Sequence, residues 1–248
     1  VGTAMDYVQY KKGMLDLNLV MPIYNEDEII EVVVVDWITH LDKLNINYKI
    51  KLYNDGSKDN TLDVITSLQK KYQDRIVVID KKNSGHGPTI LQAYKDSLNA
   101  NWIFQVDSDN EMKAKYFEQF WNKKEDYDFL IGKRVNRISP LFRKIMTYIS
   151  YVVVKLFFGK GIKDVNSPYR LIKTEVFNTV FKSIPDDTFA PNIIVAGMAC
   201  KNNIKVKSID IEFTERTTGV PTLNTSILKL FKISFKSFYQ IISYAKKH

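Results

Sequence analysis

The sequence predicts an α/β fold with a mostly parallel central sheet. Over about the first 110 residues, short apolar segments typical of strands alternate with segments of helical periodicity, and each strand-like segment ends in a polar loop. Parallel strands need crossover connections, which the intervening helices supply. At 248 residues the chain can form one large domain with an appendage.

The first half contains four predicted strands connected by three predicted helices. Prolines, glycines and short polar runs separate them. In chain order the segments are a strand at 15–22, a helix at 26–44, a strand at 48–54, a helix from the turn at 55–61 to about residue 72, a strand at 75–80, a helix at 89–100 and a strand at 102–106.

The second half is less regular, and it ends in a lysine-rich helical segment. The predicted segments are a helix at 113–124, a strand at 128–132, an amphipathic stretch at 138–158, a helix at 189–202, a strand at 205–213 and a helix at 226–245. With no repeat and no low-complexity linker, we expect one domain over 1–222 and an amphipathic C-terminal helix over 223–248.

Composition narrows the class of partner. The formal net charge of +8 favours an anionic partner such as a phosphorylated substrate, a membrane surface or nucleic acid. No nucleic acid is expected, because the basic residues form no repeated binding motif and one cysteine rules out zinc-finger spacing. The single Cys200 also excludes an intramolecular disulfide, which favours a reducing compartment.

Membrane association is expected at the surface rather than across the bilayer. No apolar run reaches the roughly 20 residues that a spanning helix needs, and the nearest, 148–158, is interrupted by Lys155. The segment 227–244 combines aromatic residues with lysines and has no acidic residue, which is typical of a helix in an anionic membrane interface. The alternative is a helix that packs its apolar stripe on the domain.

Polar loops follow each predicted strand of the first half. In a parallel sheet these loops share one edge and form one concave site. Asp55 at a strand end is suited to accept hydrogen bonds from a nucleotide base, and Gly85 permits a close approach of the backbone to a ligand. A plain turn explains the glycine equally well. The loop is neither a P-loop nor a GxGxxG motif.

Two carboxylates one residue apart follow the fourth strand. Asp107 and Asp109 project to the same side of an extended chain. Carboxylates placed in this way suit Mg²⁺ or Mn²⁺, which prefers carboxylate and phosphate oxygens and can bridge to a diphosphate. The sequence therefore predicts a metal and diphosphate site here, although short acidic turns after strands are often only solvated.

Arginines of the second half are candidates for phosphate contacts. The planar guanidinium matches a phosphate, but several of these residues could equally be solvated or pair with Asp164 and Glu215. The candidates are Arg134, Arg143, Arg170 and Arg216.

Seven motifs occur in order along the chain. They are PIYNE (22–26), NDGSKDNT (54–61), NSGHGPTILQAY (83–94), QVDSDNE (105–111), IGKRVNR (131–137), KDVNSPYRLIKTEVF (163–177) and FTERTTGVPTLN (213–224). Together they resemble the family 2 glycosyltransferases of the GT-A fold, and within that family the chain looks like the polyprenyl-phosphate glycosyltransferases of the dolichol-phosphate mannose synthase type. The resemblance covers about 17–224 and implies a Rossmann-like, mostly parallel sheet flanked by helices.

The resemblance also implies roles for individual residues. The nucleotide would contact Pro22, Tyr24, Glu26, Asp55, Gly85 and Asp107. The metal would bind Asp107 and Asp109, with Asn192 at the position of the family's usual glutamine ligand. The glutamate that follows in the family is replaced by Ile194. Catalysis would involve Asp109, Arg134 and Arg170, and the donor and acceptor phosphates would be held by Arg134, Arg143, Arg170 and Arg216.

The resemblance implies an inverting, metal-dependent transfer of a sugar from a UDP- or GDP-sugar to a polyprenyl phosphate, at the cytoplasmic face of a membrane by a peripheral protein. Two alternatives stay open: a transferase that acts on a carbohydrate hydroxyl, and a non-catalytic relative that binds a nucleotide sugar. A homo-oligomer is also left open.

Overall fold

The structure, a computed structural model, describes residues 14–135, 141–159, 162, 164–214 and 227–248. For residues 141–144, 146, 147 and 227–234 it describes the backbone alone. Within these ranges the strands form a single seven-stranded sheet. The strands are β1 (Leu15–Ile23), β2 (Tyr48–Asp55), β3 (Ile76–Lys81), β4 (Ala100–Gln105), β5 (Phe129–Val135), β6 (Arg170–Lys173) and β7 (Val206–Glu212).

The strand order in the sheet is β3-β2-β1-β4-β6-β5-β7. Every neighbouring pair is parallel except those that involve β6, which runs antiparallel to β4 and to β5. The carboxyl ends of β1 to β4 therefore lie at one edge, and the predicted mostly parallel α/β fold is confirmed.

Helices cover both faces of the sheet. The α-helices are α1 (Ile30–Asp42), α2 (Thr61–Lys71), α3 (His86–Lys95), α4 (Phe117–Trp121), α5 (Leu141–Phe158), α6 (Thr174–Ser183), α7 (Pro191–Lys201) and α8 (Ile227–Lys247), and a short 3-10 helix spans Ala114–Tyr116.

The central strands are mostly apolar because both of their faces are covered. In β1 the residues from Leu17 to Ile23 are all buried. Alternate side chains enter two separate cores. Leu19 packs in the core under α1, where Trp37 lies against Phe104 at a ring-centroid distance of 5.3 Å, and Val20 packs in the core under α3, α6 and α7. The sheet is thereby fixed in register.

Some predicted segments differ from the structure. The predicted segments do not include β6 or α6. The predicted helix 113–124 is a 3-10 turn followed by the five-residue α4, and α3 begins at His86 instead of residue 89. The last difference matters for the site, because it converts the centre of the glycine-containing loop into the first turn of a helix.

The C-terminal helix α8 packs on the domain with one side. Ile241 and Tyr244 are buried in the core shared with α7, and the Tyr244 hydroxyl lies 2.5 Å from Ser183 Oγ. Phe235 and Tyr239 remain 77% and 69% exposed. No helix in the described part of the chain is both long enough and apolar enough to cross a membrane.

Candidate active site

The loops that follow β1 and β2 are tied together by hydrogen bonds. Lys58 N donates to Asn25 Oδ1 at 2.8 Å, and Glu26 N donates to Thr61 Oγ1 at 2.8 Å. Asn25 has a φ of +55°, a conformation that asparagine tolerates better than most residues. These bonds give the edge of the sheet a fixed shape. Within it, Pro22 and Glu26 are buried and Tyr24 is half-buried.

Asp55, at the end of β2, organises the loop that follows β3. Its Oδ1 accepts from Lys81 Nζ at 2.5 Å and from Ser84 N at 2.8 Å, and its Oδ2 accepts from Gly85 N at 2.9 Å. Burial would raise the pKa of Asp55, but the hydrogen bonds from Lys81 and Ser84 lower it below its ordinary value. The Asp55 carboxylate therefore stabilises the loop that follows β3, and its contact with a nucleotide base stays a prediction.

Gly85 and His86 connect that loop to the acidic site. Gly85 precedes α3 with a φ of +93°, and a side chain at this position would meet open space. His86 Nε2 lies 3.0 Å from Asp107 Oδ1. Partial desolvation would lower the pKa of His86, but the neighbouring carboxylates, above all Asp107, raise it. The N-terminus of α3 is thus held against the first of the two predicted metal ligands.

Asp107 and Asp109 lie just beyond β4, and both are half-buried. Asp109 Oδ1 accepts from Glu111 N at 3.1 Å across Asn110, whose φ is +60°. Because β4 ends at Gln105, both aspartates lie at the edge of the sheet. Among the described residues no three His, Cys, Asp or Glu side chains come together as a metal site, and the metal contact of Asp107 and Asp109 stays a prediction.

Asn192, the predicted third ligand, belongs to a buried network. Tyr94 is fully buried, and its hydroxyl lies 2.8 Å from Asn192 Oδ1 and 2.5 Å from Gln105 Oε1. A hydroxyl has one proton to donate, while Gln105 Nε2 is buried without a partner in the described structure. If the Gln105 amide is rotated by 180°, its Nε2 donates to the Tyr94 hydroxyl oxygen. The Tyr94 proton is then donated to Asn192 Oδ1 alone.

This network joins the start of α7 to the end of β4. Gln105 is two residues before Asp107, and Asn192 is the second residue of α7. The Asn192 Oδ1 atom that would bind a metal already accepts the Tyr94 proton at 2.8 Å. Ile194, where the family has a glutamate, is fully buried in the core. In this geometry Asn192 connects the start of α7 to the end of β4 through Tyr94, and its metal contact stays a prediction.

Arg134 stands beside the acidic site with a carboxylate partner. Its Nε donates to Asp164 Oδ2 at 2.8 Å and its Nη2 donates to Asp164 Oδ1 at 2.5 Å, with both side chains nearly buried. Burial would lower the pKa of Arg134, but Asp164, with weaker contributions from Asp107 and Glu111, raises it. A phosphate that binds Arg134 has to share it with Asp164.

Arg170 has a different role from the predicted phosphate contact. Its side chain is fully buried, and the guanidinium donates to the backbone oxygens of Ser167, Asn192 and Val165 at 2.6 to 3.0 Å. It also lies over the Phe129 ring at 5.7 Å from the centroid. With its donors turned to these carbonyls and no exposed surface, Arg170 supports the site from within.

Two further predicted phosphate contacts are not described. The side chain of Arg143 and the whole of Arg216 lie outside the described residues. Residues that the sequence did not single out are His86, Lys81, Tyr94 and, as shown below, Gln240. His86 carried a signal, since it stands inside the NSGHGP motif after a strand, whereas the roles of the other three depend on contacts between distant segments.

The family is established by comparison with known proteins. The sequence model described as glycosyl transferase family 2 matches residues 18–187, which is more than half of the chain. The chain belongs to glycosyl transferase family 2. The predicted family is confirmed, and the loops described above all fall within the matched region.

Named relatives fall within one functional group. Dolichyl-phosphate beta-glucosyltransferase from Dictyostelium discoideum is 26% identical over 218 residues, covering 80% of this chain and 66% of the relative. Undecaprenyl-phosphate 4-deoxy-4-formamido-L-arabinose transferase from Photorhabdus laumondii is 23% identical over 233 residues, covering 93% and 68%. The resemblance to polyprenyl-phosphate glycosyltransferases is thus confirmed. The chain spans about two thirds of the length of these relatives.

Solved structures share the fold. Glucosyl-3-phosphoglycerate synthase from Mycobacterium tuberculosis, crystallised with Mn²⁺ and UDP-glucose, is 13% identical with a TM-score of 0.63 over 99% of this chain and 84% of its own. TarS from S. aureus, crystallised with UDP, is 18% identical with a TM-score of 0.55 over 81% and 61%. At such identities the likeness shows the fold alone, and it confirms the GT-A type.

Proposed function

We propose that this chain is an inverting glycosyltransferase that moves a sugar from a nucleotide diphosphate to a polyprenyl phosphate. The observation that carries the proposal is the half-exposed pair Asp107 and Asp109 at the carboxyl end of β4, with His86 against it and the loop organised by Asp55 beside it. Membership of family 2 and the names of the relatives support the substrate class.

The donor nucleotide is placed along the edge formed by the loops after β1, β2 and β3. Pro22, Tyr24 and Glu26 are proposed to contact the nucleotide on one side, and Asp55 and Gly85 on the other. The open space at Gly85 lets the ligand approach the backbone closely. UDP and GDP are both candidates for the nucleotide, and the UDP complexes of the structural neighbours favour UDP.

Asp107 and Asp109 fit Mg²⁺ or Mn²⁺. Within the described part of the chain no third acidic or imidazole side chain joins the two carboxylates as a metal ligand, and such a pair suits a hard cation that completes its shell with water and diphosphate oxygens. Such a cation, when bound, supplies stabilisation of the negative charge that develops on the leaving diphosphate. The Mn²⁺ in the neighbouring glucosyl-3-phosphoglycerate synthase supports this assignment.

The residues of this chain then have to hold two anions in line. A phosphate acceptor is already ionised, so its attack on the anomeric carbon needs little help from a general base. Arg134, Arg143 and Arg216 are proposed to hold the phosphates, since positioning and charge stabilisation supply most of the catalysis in such a reaction. Asp109 stays the proposed catalytic carboxylate, and Arg170 acts through the backbone that it supports.

The outer surface of α5 and α8 is proposed to rest on the membrane. The two helices pack together, and large apolar side chains on both remain solvent-exposed. They are Ile145 (47%), Tyr148 (67%), Leu156 (73%), Phe235 (77%) and Tyr239 (69%). Lysines on α8 add attraction to anionic lipid. We propose a peripheral protein at the cytoplasmic face of a membrane, with a catalytic domain over 1–222 and an interfacial segment over 223–248.

A donor panel tests the proposal. Purified protein is incubated with radiolabelled UDP- and GDP-sugars, polyprenyl phosphate and Mn²⁺ or Mg²⁺, and the label that enters the organic phase is counted. The proposal predicts transfer from one class of donor, dependent on the cation. Label that enters a carbohydrate acceptor but not the lipid favours the hydroxyl-directed alternative, and binding without any transfer favours the non-catalytic one.

A further inference from the structure

The α6–α7 loop, residues 184–190, lies between the donor site and the C-terminal helix. On the donor side the loop touches the first turn of α3. A Cβ placed on Gly87 would lie 2.0 Å from Phe189 O and 2.9 Å from Thr188 O, so only glycine permits this approach. His86, the neighbour of Gly87, contacts Asp107 at 3.0 Å. The loop backbone therefore packs against the helix turn that carries His86, and through His86 it helps to position Asp107.

On its other side the backbone of the loop is bound by Gln240 of α8. Gln240 Oε1 accepts from Phe189 N at 3.0 Å, and Gln240 Nε2 donates to Asp187 O at 3.2 Å. Both halves of the amide are used, so the side chain pairs with the loop backbone as a strand would. The backbone of Phe189 is thus enclosed between Gln240 on one helix and Gly87 on another.

The same loop leads directly into the Asn192 network. Three residues after Phe189, Asn192 Oδ1 accepts a hydrogen bond from the Tyr94 hydroxyl. Because Tyr94 also bonds Gln105, this network joins α7 to the end of β4. At the start of the loop Lys95 Nζ donates to Ile184 O at 2.9 Å and to Asp186 Oδ1 at 2.6 Å. The Gln240 contacts connect the loop to α8, the helix that carries the exposed Phe235 and Tyr239.

We propose that Gln240 is a positioning residue through which the seating of α8 on a lipid surface holds the α6–α7 loop against the donor site. Tyr239, its neighbour in the chain, is 69% exposed on the side that would meet lipid, and Ile241 is buried on the domain side. Gln240 therefore stands at the boundary between the two. This inference rests on the proposed membrane contact of α8, and it assigns that contact an effect on the nucleotide site.

Hydrogen exchange of the loop tests the mechanical part directly. The protein is compared in solution and on vesicles of equal parts phosphatidylglycerol and phosphatidylcholine. We expect the Phe189 amide, which donates to Gln240, to exchange roughly tenfold more slowly on vesicles, and Gln240→Met to abolish this protection. Gln240→Glu, which keeps the acceptor for Phe189 and loses the donor to Asp187, should retain part of it.

The consequence for the site is measured as the affinity for UDP and GDP with Mn²⁺. Wild type should bind the nucleotide roughly tenfold more tightly on vesicles, and Gln240→Met should bind equally with and without them. Ile242→Met, a change of similar size two residues along α8, is the matched control and should behave as wild type.

The outcomes separate this inference from the proposed function. Vesicle protection of Phe189 that depends on Gln240, without sugar transfer in the donor panel, supports the positioning role and rejects the polyprenyl acceptor. Sugar transfer with no vesicle-dependent change at Phe189, or with the same change in Gln240→Met, overturns the inference and leaves the proposed function intact.

Discussion

Gly87→Ala is expected to reduce sugar transfer roughly 100-fold while the protein stays folded, since a misplacement of about 1 Å at a reacting site costs about this factor. The added Cβ would lie 2.0 Å from Phe189 O, against an ordinary contact of 3.4 Å. The neighbour is a backbone carbonyl that cannot rotate away as a side chain can. The first turn of α3 and the α6–α7 loop must therefore separate by about 1.4 Å.

The cost in stability should be modest. An extra methyl group in a packed region costs about 1 to 3 kcal/mol of unfolding free energy. Gly197→Ala is the matched control, because its added Cβ would meet the Phe158 ring at 2.7 Å in the middle of α7 and away from the loop. We expect a similar loss of stability in the control with sugar transfer within roughly threefold of wild type.

The assay measures kcat/KM for transfer to polyprenyl phosphate together with urea unfolding of each variant. If Gly87→Ala keeps wild-type kcat/KM despite the expected loss of stability, the close approach of the loop does not position the site. If both glycine variants lose activity in parallel with stability, the effect is general destabilisation and the reasoning also fails.

Three other predictions concern the supporting contacts. Burial would raise the pKa of Asp55, but Lys81 and the loop backbone lower it below its ordinary value of 3.8, so the charged Asp55 stabilises the fold above about pH 4. Its advantage over Asp55→Asn declines as pH falls from 3.8 and is lost through the lower pKa of the folded state; an unchanged difference in urea unfolding between about pH 6 and about pH 3 contradicts this. Arg170→Met should lower the free energy of unfolding by roughly 3 to 5 kcal/mol, because three carbonyls lose their partner. A variant that is stable but inactive would instead favour the predicted phosphate contact of Arg170. Tyr94→Phe should lower the free energy of unfolding by about 1 to 3 kcal/mol and weaken Mn²⁺ binding by displacing Asn192. Titration of the variant with Mn²⁺ in the presence of UDP measures the binding effect. Unchanged Mn²⁺ affinity would show that the network is only structural.

The first half of the fold follows from the sequence because local pattern and tertiary context agree there. The strand at Leu15–Ile23 is mostly apolar, is buried from Leu17 onward and ends at a polar loop, as a strand covered on both faces should. The strand Arg170–Lys173 could not be recognised in this way, because it has four residues and its sheet pairing depends on β4 and β5.

The candidate site was predictable only in part for a similar reason. Asp107 and Asp109 could be found because strand ends in a parallel sheet collect at one edge. The buried role of Arg170 depends on carbonyls of the loop just before it and on that of Asn192, 22 residues along the chain, and the role of Gln240 depends on a loop more than 50 residues away. Pairings of this kind have no local sequence signal, so a basic residue that supports the backbone resembles one that binds a phosphate.

Sugar transfer by the two aspartate variants tests the central proposal most directly. Wild type, Asp107→Asn and Asp109→Asn are assayed with Mn²⁺ and the donor that is active in the panel, beside Asp126→Asn, the same substitution at an exposed residue of the turn between α4 and β5. The proposed function predicts that both site variants lose transfer by a factor of roughly 100 or more and that Asp126→Asn retains it. Full transfer by both site variants would contradict the metal assignment, and with it the mechanism proposed for this chain.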